Sequence, residues 1–179
     1  VAYSSISHLG FCVLGFAALN VQALQGSMLQ MLNHGVSTGA LFFLVGVLYE
    51  RKHDRHIASY GGVAARMPMY AAAFALFTFS SIGLPLTNGF IGEFLILLGT
   101  FTKHPLLALL ACSGVVLAAV YMLSLYRRVF FGPLDEEKNG DLEDLKLREI
   151  LTLVVLAGFV FFVGLYPQPV LKDLEAPAR

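Results

Sequence analysis

The chain has 179 residues, with 12 Lys and Arg against 12 Asp and Glu, so 13% are charged where a soluble domain carries about 25%. Together with 57% hydrophobic residues and a mean hydropathy of +0.73, this excludes a water-soluble globule. A net charge of zero also excludes a basic nucleic-acid-binding face and an acidic disordered tail.

The charges fall into islands. Residues 1–49 hold none, 67–102 hold only Glu93, and neither 104–126 nor 150–171 holds any. Crossing a bilayer core of about 30 Å takes about 20 apolar helical residues. Each charge-poor stretch is long enough, and the first is long enough for two spans because Asn20, Gln22, Gln25 and Gly26 interrupt it. Five segments follow: up to about Leu19, then 27–49, 69–102, 106–126 and 150–166. Strand-like alternation is absent and backbone groups in lipid must bond internally. The expected fold class is therefore all-α, a polytopic membrane helix bundle of about five spans, one of them discontinuous. The chain opens Val1-Ala2-Tyr3 with no initiator Met, cationic n-region or cleavage site, so it reads as starting inside a helix.

In the first segment Ser4, His8 and Cys12 share a helical face. In the second, Gln30, His34, Ser37 and Thr38 recur at i, i+4, i+7 and i+8, a polar stripe with Asn33 at its border. An imidazole among hydroxyls suits a proton relay, because it titrates near neutrality and has two ring nitrogens. The same groups could instead only join helices by hydrogen bonds. Gly35 and Gly39 form a GxxxG, read as a close-packing face.

The third segment is too long for one straight crossing, since 34 residues would run about 51 Å. Its middle reads Ser81-Ile82-Gly83-Leu84-Pro85-Leu86-Thr87-Asn88-Gly89. Pro85 lacks an N–H, while Gly83 and Gly89 tolerate non-helical backbone, which predicts two half-helices with Thr87 and Asn88 capping the second. Transporters use such breaks to bring backbone dipoles to ions at mid-membrane. Glu93 follows the break. A charge in mid-membrane costs at least about 2.5–3.5 kcal/mol on insertion scales, so such a group marks an ion or proton path.

Elsewhere the residues read as structural. His53, His56 and His104 lie in loops or at a helix start, Arg127 and Arg128 anchor a span end, and Lys103 snorkels. The acidic run Asp141 to Asp144, in a polar loop that includes Asp135, resembles a helix start leading into the last span. Nine cations lie in the loops after the second and fourth segments, against Lys103, Lys172 and Arg179 on the other side. The nine-cation side is therefore expected to be cytoplasmic. Cys12 and Cys112 make no disulfide or metal framework, and no cofactor or metal motif is present.

The strings AYSSISHLGF (2–11), QMLNHGVSTGALFFLVGVLYERK (30–52), GLPLTNGFIGEFLIL (83–97) and YPQP (166–169) resemble the antiporter-like membrane subunits of respiratory complex I, NADH:quinone oxidoreductase. The likeness covers nearly the whole chain in order. It implies that residues 1–171 are the C-terminal part of a proton-translocating domain of 14 helices with two inverted repeats, and that 172–179 are a polar tail. By resemblance, Glu93 is the acidic residue at the outer end of the proton path, and His34 and His8 are polar-axis positions. Ser37, Thr38, Pro85, Thr87 and Asn88 support them. Leu86 departs from the Gly common in the family's LPGT-type strings.

The resemblance further implies no cofactor on this chain, with FMN, Fe–S clusters and quinone held by partner subunits. Sister chains L and N usually carry Lys at the GEF position, so Glu93 sets this chain apart from them and makes them its expected partners, along with the bilayer. The bacterial inner membrane is the expected location, with the mitochondrial inner membrane as the alternative. Two other readings stand beside this one: a subunit of a Mrp-type Na+/H+ antiporter, which Glu at 93 weighs against, and a membrane scaffold that moves no ions.

Overall fold

The computed structural model of the chain describes residues 1–134 and 136–178. All regular structure among them is helical: α1 (Ser4–Ala17), α2 (Val21–Lys52), α3 (Pro68–Ser81), α4 (Asn88–Lys103), α5 (Pro105–Phe130), α6 (Glu136–Asn139), α7 (Leu147–Leu165) and α8 (Gln168–Ala178). Two single 3₁₀ turns, Ile57–Ser59 and Val63–Ala65, lie between α2 and α3. Helices α2, α5 and α7 are each long and apolar enough to cross a membrane. The 14 residues of α1 reach about 21 Å, short of a full crossing.

The first break is narrower than the sequence suggests. Asn20 is extended and its side chain accepts the Ala23 N–H at 2.9 Å, so a single cap starts α2 at Val21. Gln22, Gln25 and Gly26 are inside that 32-residue helix. Gly26 faces α4, where an added Cβ would lie 2.8 Å from the Ile96 backbone nitrogen. Gly99 repeats this contact one end further along, with Ala23 N at 2.6 Å from such an atom. Close backbone approach through small residues is how membrane helices associate without a hydrophobic driving force between them. Gly35 and Gly39, by contrast, are exposed, and no described residue packs on them. The GxxxG face of α2 is thus not the one that meets α4.

The third segment breaks where expected, between Ser81 and Asn88. Thr87 N–H bonds the Leu84 carbonyl at 3.1 Å and closes a four-residue turn with Pro85 second and Leu86 third. That third position takes φ +78°, and Gly83 takes φ +75°. A positive φ after Pro is the geometry of a type II turn, which ordinarily places Gly there. Gly89 differs from expectation: it is inside α4, and it is small because the Ser80 carbonyl lies against it. Thr87 does occupy the N-cap, but its hydroxyl donates to Leu84 O at 2.6 Å rather than capping α4.

The buried apolar cluster gathers Tyr70, Phe74 and Phe77 of α3 with Leu41, Leu44, Met122, Phe130 and Val160. The two ends of the bundle carry the loops that the charge pattern separated. At one end the Arg51 guanidinium pairs with Glu149 at 2.8 Å and donates to the Glu143 and Asp144 carbonyls. At the other, Lys103 donates to Leu19 O at 3.0 Å and Gln25 to Leu171 O at 3.4 Å. Lys103 thus has a carbonyl partner besides its anchoring place. The acidic run serves a different helix from the one expected: Asp144 accepts the Met69 and Tyr70 N–H groups, both at 2.9 Å, and so caps α3. Helix α7 begins instead with the Glu149 carboxylate accepting the Lys146 N–H at 2.7 Å. Asp135 and Arg179 lie outside the described residues, and the tail from Lys172 belongs to α8 as far as Ala178.

Candidate functional site

Glu93 is on the second turn of α4, and its hydrogen-bond partners Gln30 and His8 lie 63 and 85 residues from it in sequence. Its side chain is buried, with 4% of the residue exposed. Oε1 lies 2.9 Å from Nδ1 of His8, itself 2% exposed on α1, and accepts Nε2–H of Gln30 from α2 at 3.1 Å. On its far side His8 presents Nε2 to the Ser81 hydroxyl at 3.2 Å, from the last residue of α3. One assignment satisfies all three contacts: Ser81 Oγ–H donates to His8 Nε2, and His8 Nδ1–H donates to Glu93 Oε1. Four helices, including both halves of the broken one, therefore meet at one carboxylate.

A second set of polar groups continues away from Glu93 along α2. The His34 ring centre is 5.3 Å from that of His8, and the Thr38 hydroxyl is 3.0 Å from His34 Nδ1. Ser37 does not touch His34; it pairs with Ser80 at 2.7 Å, and Ser80 donates to Asn88 Oδ1 at 2.6 Å. Asn33 Nδ2–H donates to the Asn88 carbonyl at 2.7 Å. This network ties α2 to both lips of the break. Between His8, Gln30, Asn33, His34, Ser37 and the Ser80–Ser81 pair lies a cavity of about 10 Å³, room for about one water. Gln30 Oε1 and Asn33 Oδ1, both from residues lining it, have no hydrogen-bond partner among protein atoms.

The structure thus gathers Glu93, His8, His34, Ser37, Thr38 and Asn88 in one region. Pro85 is exposed in the turn and Thr87 holds it closed, so both shape the break without touching the carboxylate. Three contributors escaped the sequence reading as site residues. Gln30 stood on the polar stripe with no sign that it reaches Glu93; Ser81 was read only as the rim of the break, and Ser80 was not singled out. Among the described residues no group of three or more His, Cys, Asp or Glu converges as metal ligands.

A discontinuous membrane helix with a buried carboxylate beside its break, bonded to a histidine on a neighbouring helix, defines a polytopic membrane protein with an ionisable core. The sequence model of the family described as NADH:quinone oxidoreductase/Mrp antiporter, TM, matches residues 1–120, and the chain belongs to that family. It is 47% identical over 178 residues to NADH-quinone oxidoreductase subunit M of Rhodobacter capsulatus, covering 99% of this chain and 35% of that protein. A chain in the structure of respiratory complex I from Thermus thermophilus with bound NADH superposes with a TM-score of 0.91 at 31% identity, covering 99% of this chain and 37% of that one. A chain of the Mrp complex from a Dietzia species shares the fold, with a TM-score of 0.87 at 18% identity and coverage of 99% and 41%. The chain spans about a third of the length of the relatives it matches.

Proposed function

We propose that this chain works as part of an M-type subunit of a proton-translocating NADH:quinone oxidoreductase, passing protons through Ser81, His8 and Glu93 with His34 as the next station. The observation that carries this reading is the buried His8–Glu93 contact of 2.9 Å beside the helix break. A lone carboxylate in lipid is costly, and one that merely joined helices would need no titratable donor. Here the donor is an imidazole whose other nitrogen meets a hydroxyl, so a proton taken up at Nε2 releases another from Nδ1 to the carboxylate. His34 is close enough to exchange with His8 through a ring turn or one water in the adjoining cavity.

The 47% identity to a subunit M, with Glu at 93, favours redox-linked pumping over Mrp-type antiport. On this reading the electron carriers FMN, Fe–S and quinone sit in other subunits, and no redox active site lies on this chain. Its neighbours are antiporter-like chains L and N. Its place is the bacterial inner membrane or the mitochondrial counterpart. The test is Glu93→Gln in the full-length subunit within the assembled complex, reconstituted in vesicles. Loss of proton uptake coupled to NADH oxidation is the expected outcome; a wild-type proton-to-NADH ratio would sink the proposal.

A further inference from the structure

The two oxygens of Glu93 have different surroundings. Oε1 receives both His8 Nδ1 and Gln30 Nε2, whereas Oε2 is turned toward Gly83, where an added Cβ would sit 3.0 Å from it. Gly83 belongs to the unwound stretch, has φ +75° and itself puts no side chain over Oε2. Gln30 is held firmly enough to enforce this division. It is 2% exposed, and the α4 backbone at Gly92 approaches so closely that an added Cβ would be 3.0 Å from Gln30 Cα.

A proton delivered by His8 Nδ1 arrives on Oε1, and leaving on the break side requires that oxygen to take the place of Oε2 beside Gly83. The carboxyl must therefore turn about its Cγ–Cδ bond. A hydrogen bond from an amide N–H to an ionised carboxylate is about twice as strong as one to the neutral acid. Gln30 consequently grips the charged group and lets go of the protonated one.

We propose that Gln30 is a positioning residue for the Glu93 relay. It fixes the ionised carboxylate with Oε1 on His8 and Oε2 at Gly83, and it slackens when Oε1 is protonated, so that the carboxyl turns and releases its proton on the break side. The balance is simple: the imidazolium loses the Nδ1 proton, Oε1 gains it, the turn carries it to the Gly83 side, and its departure restores the anion. This deepens the relay reading above and rests on it.

The experiment uses the assembled complex in vesicles with Gln30→Met, which keeps length and removes the donor. The proton-to-NADH ratio is expected to fall below wild type, and the carboxylate stretching band that disappears in Glu93→Gln is expected to shift, as for an ionised carboxylate with one hydrogen bond fewer. An unshifted band, or a wild-type ratio with a shifted band, overturns the proposal. If Gln30→Met does not assemble, Gly83→Ala takes its place, because it puts a methyl over Oε2; since Ala is strained at φ +75°, a reduced ratio supports the break-side exit only with an unshifted carboxylate band, which shows both Oε1 bonds intact, and a wild-type ratio or a shifted band overturns it. Should Glu93→Gln abolish pumping while these variants pump normally, the relay stands and the role of Gln30 falls. A normal ratio in Glu93→Gln removes both.

Discussion

The two halves of the broken helix are held by opposite means. Helix α3 is wedged by bulk: Tyr70, Phe74 and Phe77 fill an apolar cluster, and Tyr70 OH also reaches Leu44 O at 2.9 Å. Helix α4 is held by the lack of bulk, with Gly92 and Gly99 laid against α2 and Gly26 of α2 returning the contact. Only the second kind of contact brings backbones close enough to fix a neighbouring side chain to a fraction of an ångström. That is the half that carries Glu93. The carboxylate is thus positioned from the helix it meets, whereas α3 supplies hydroxyls whose rotors adjust.

The largest expected effect breaks the α4 side of this comparison. Gly92→Ala places a methyl into Gln30, whose backbone has no room to withdraw. Overpacking of this kind costs about 1–3 kcal/mol. The complex should lose thermal stability by that order and show the same displaced Glu93 carboxylate band as loss of the Gln30 donor. A wild-type melting temperature would mean that α2 and α4 are less tightly apposed than described.

Asp144 tests the α3 side, at the end remote from the site. Its carboxylate serves the N–H groups of Met69 and Tyr70, and Arg51 holds its carbonyl at 3.0 Å. Pro68 at the helix start leaves α3 with no cap from its own segment. Asp144→Ala is expected to cost about 1 kcal/mol, the usual value of an N-cap. Because α3 is also wedged by aromatics, the proton-to-NADH ratio should hold while hydrogen exchange at Met69 and Tyr70 speeds up. Slow exchange there in the variant would refute the cap.

How far the sequence foretold these features depends on the range of the contact. Glu93 was conspicuous as the one charge in 67–102, and Pro85 between glycines marked the break, because both signals are local. His8 and His34 were placed on polar faces by helical spacing alone. The pairing of His8 with Glu93 was not legible, since nothing in a periodic pattern says which face meets which across 85 residues. The same ignorance applies to Gly35 and Gly39: GxxxG states that close approach is possible, not which helix makes it, and α4 meets α2 on another face. Asp144 shows it again, as an acidic run next to one helix start that caps another 74 residues away. One signal was available and unused. Gly92 and Gly99 recur at i and i+7, a small-residue face on the same helix as Glu93.

The smallest expected effect concerns the turn between the halves, and its sign is reversed. Leu86 takes φ +78° and exposes 63% of its surface, so its side chain contributes little packing to offset the backbone strain. A left-handed conformation costs a non-glycine residue about 1–2 kcal/mol. Gly164 of α7 lies against the Leu86 carbonyl, where any Cβ at 164 would strike that oxygen. Leu86→Gly should therefore stabilise the folded subunit by about 1 kcal/mol, less the entropy that Gly adds to the unfolded chain. The expected reading is a modest rise in melting temperature with an unchanged Glu93 infrared band. If instead that band moves, the turn is transmitting its strain to the carboxylate, and the distinction between a rigid α4 and an adjustable α3 must be redrawn at Gly83 rather than at Asn88.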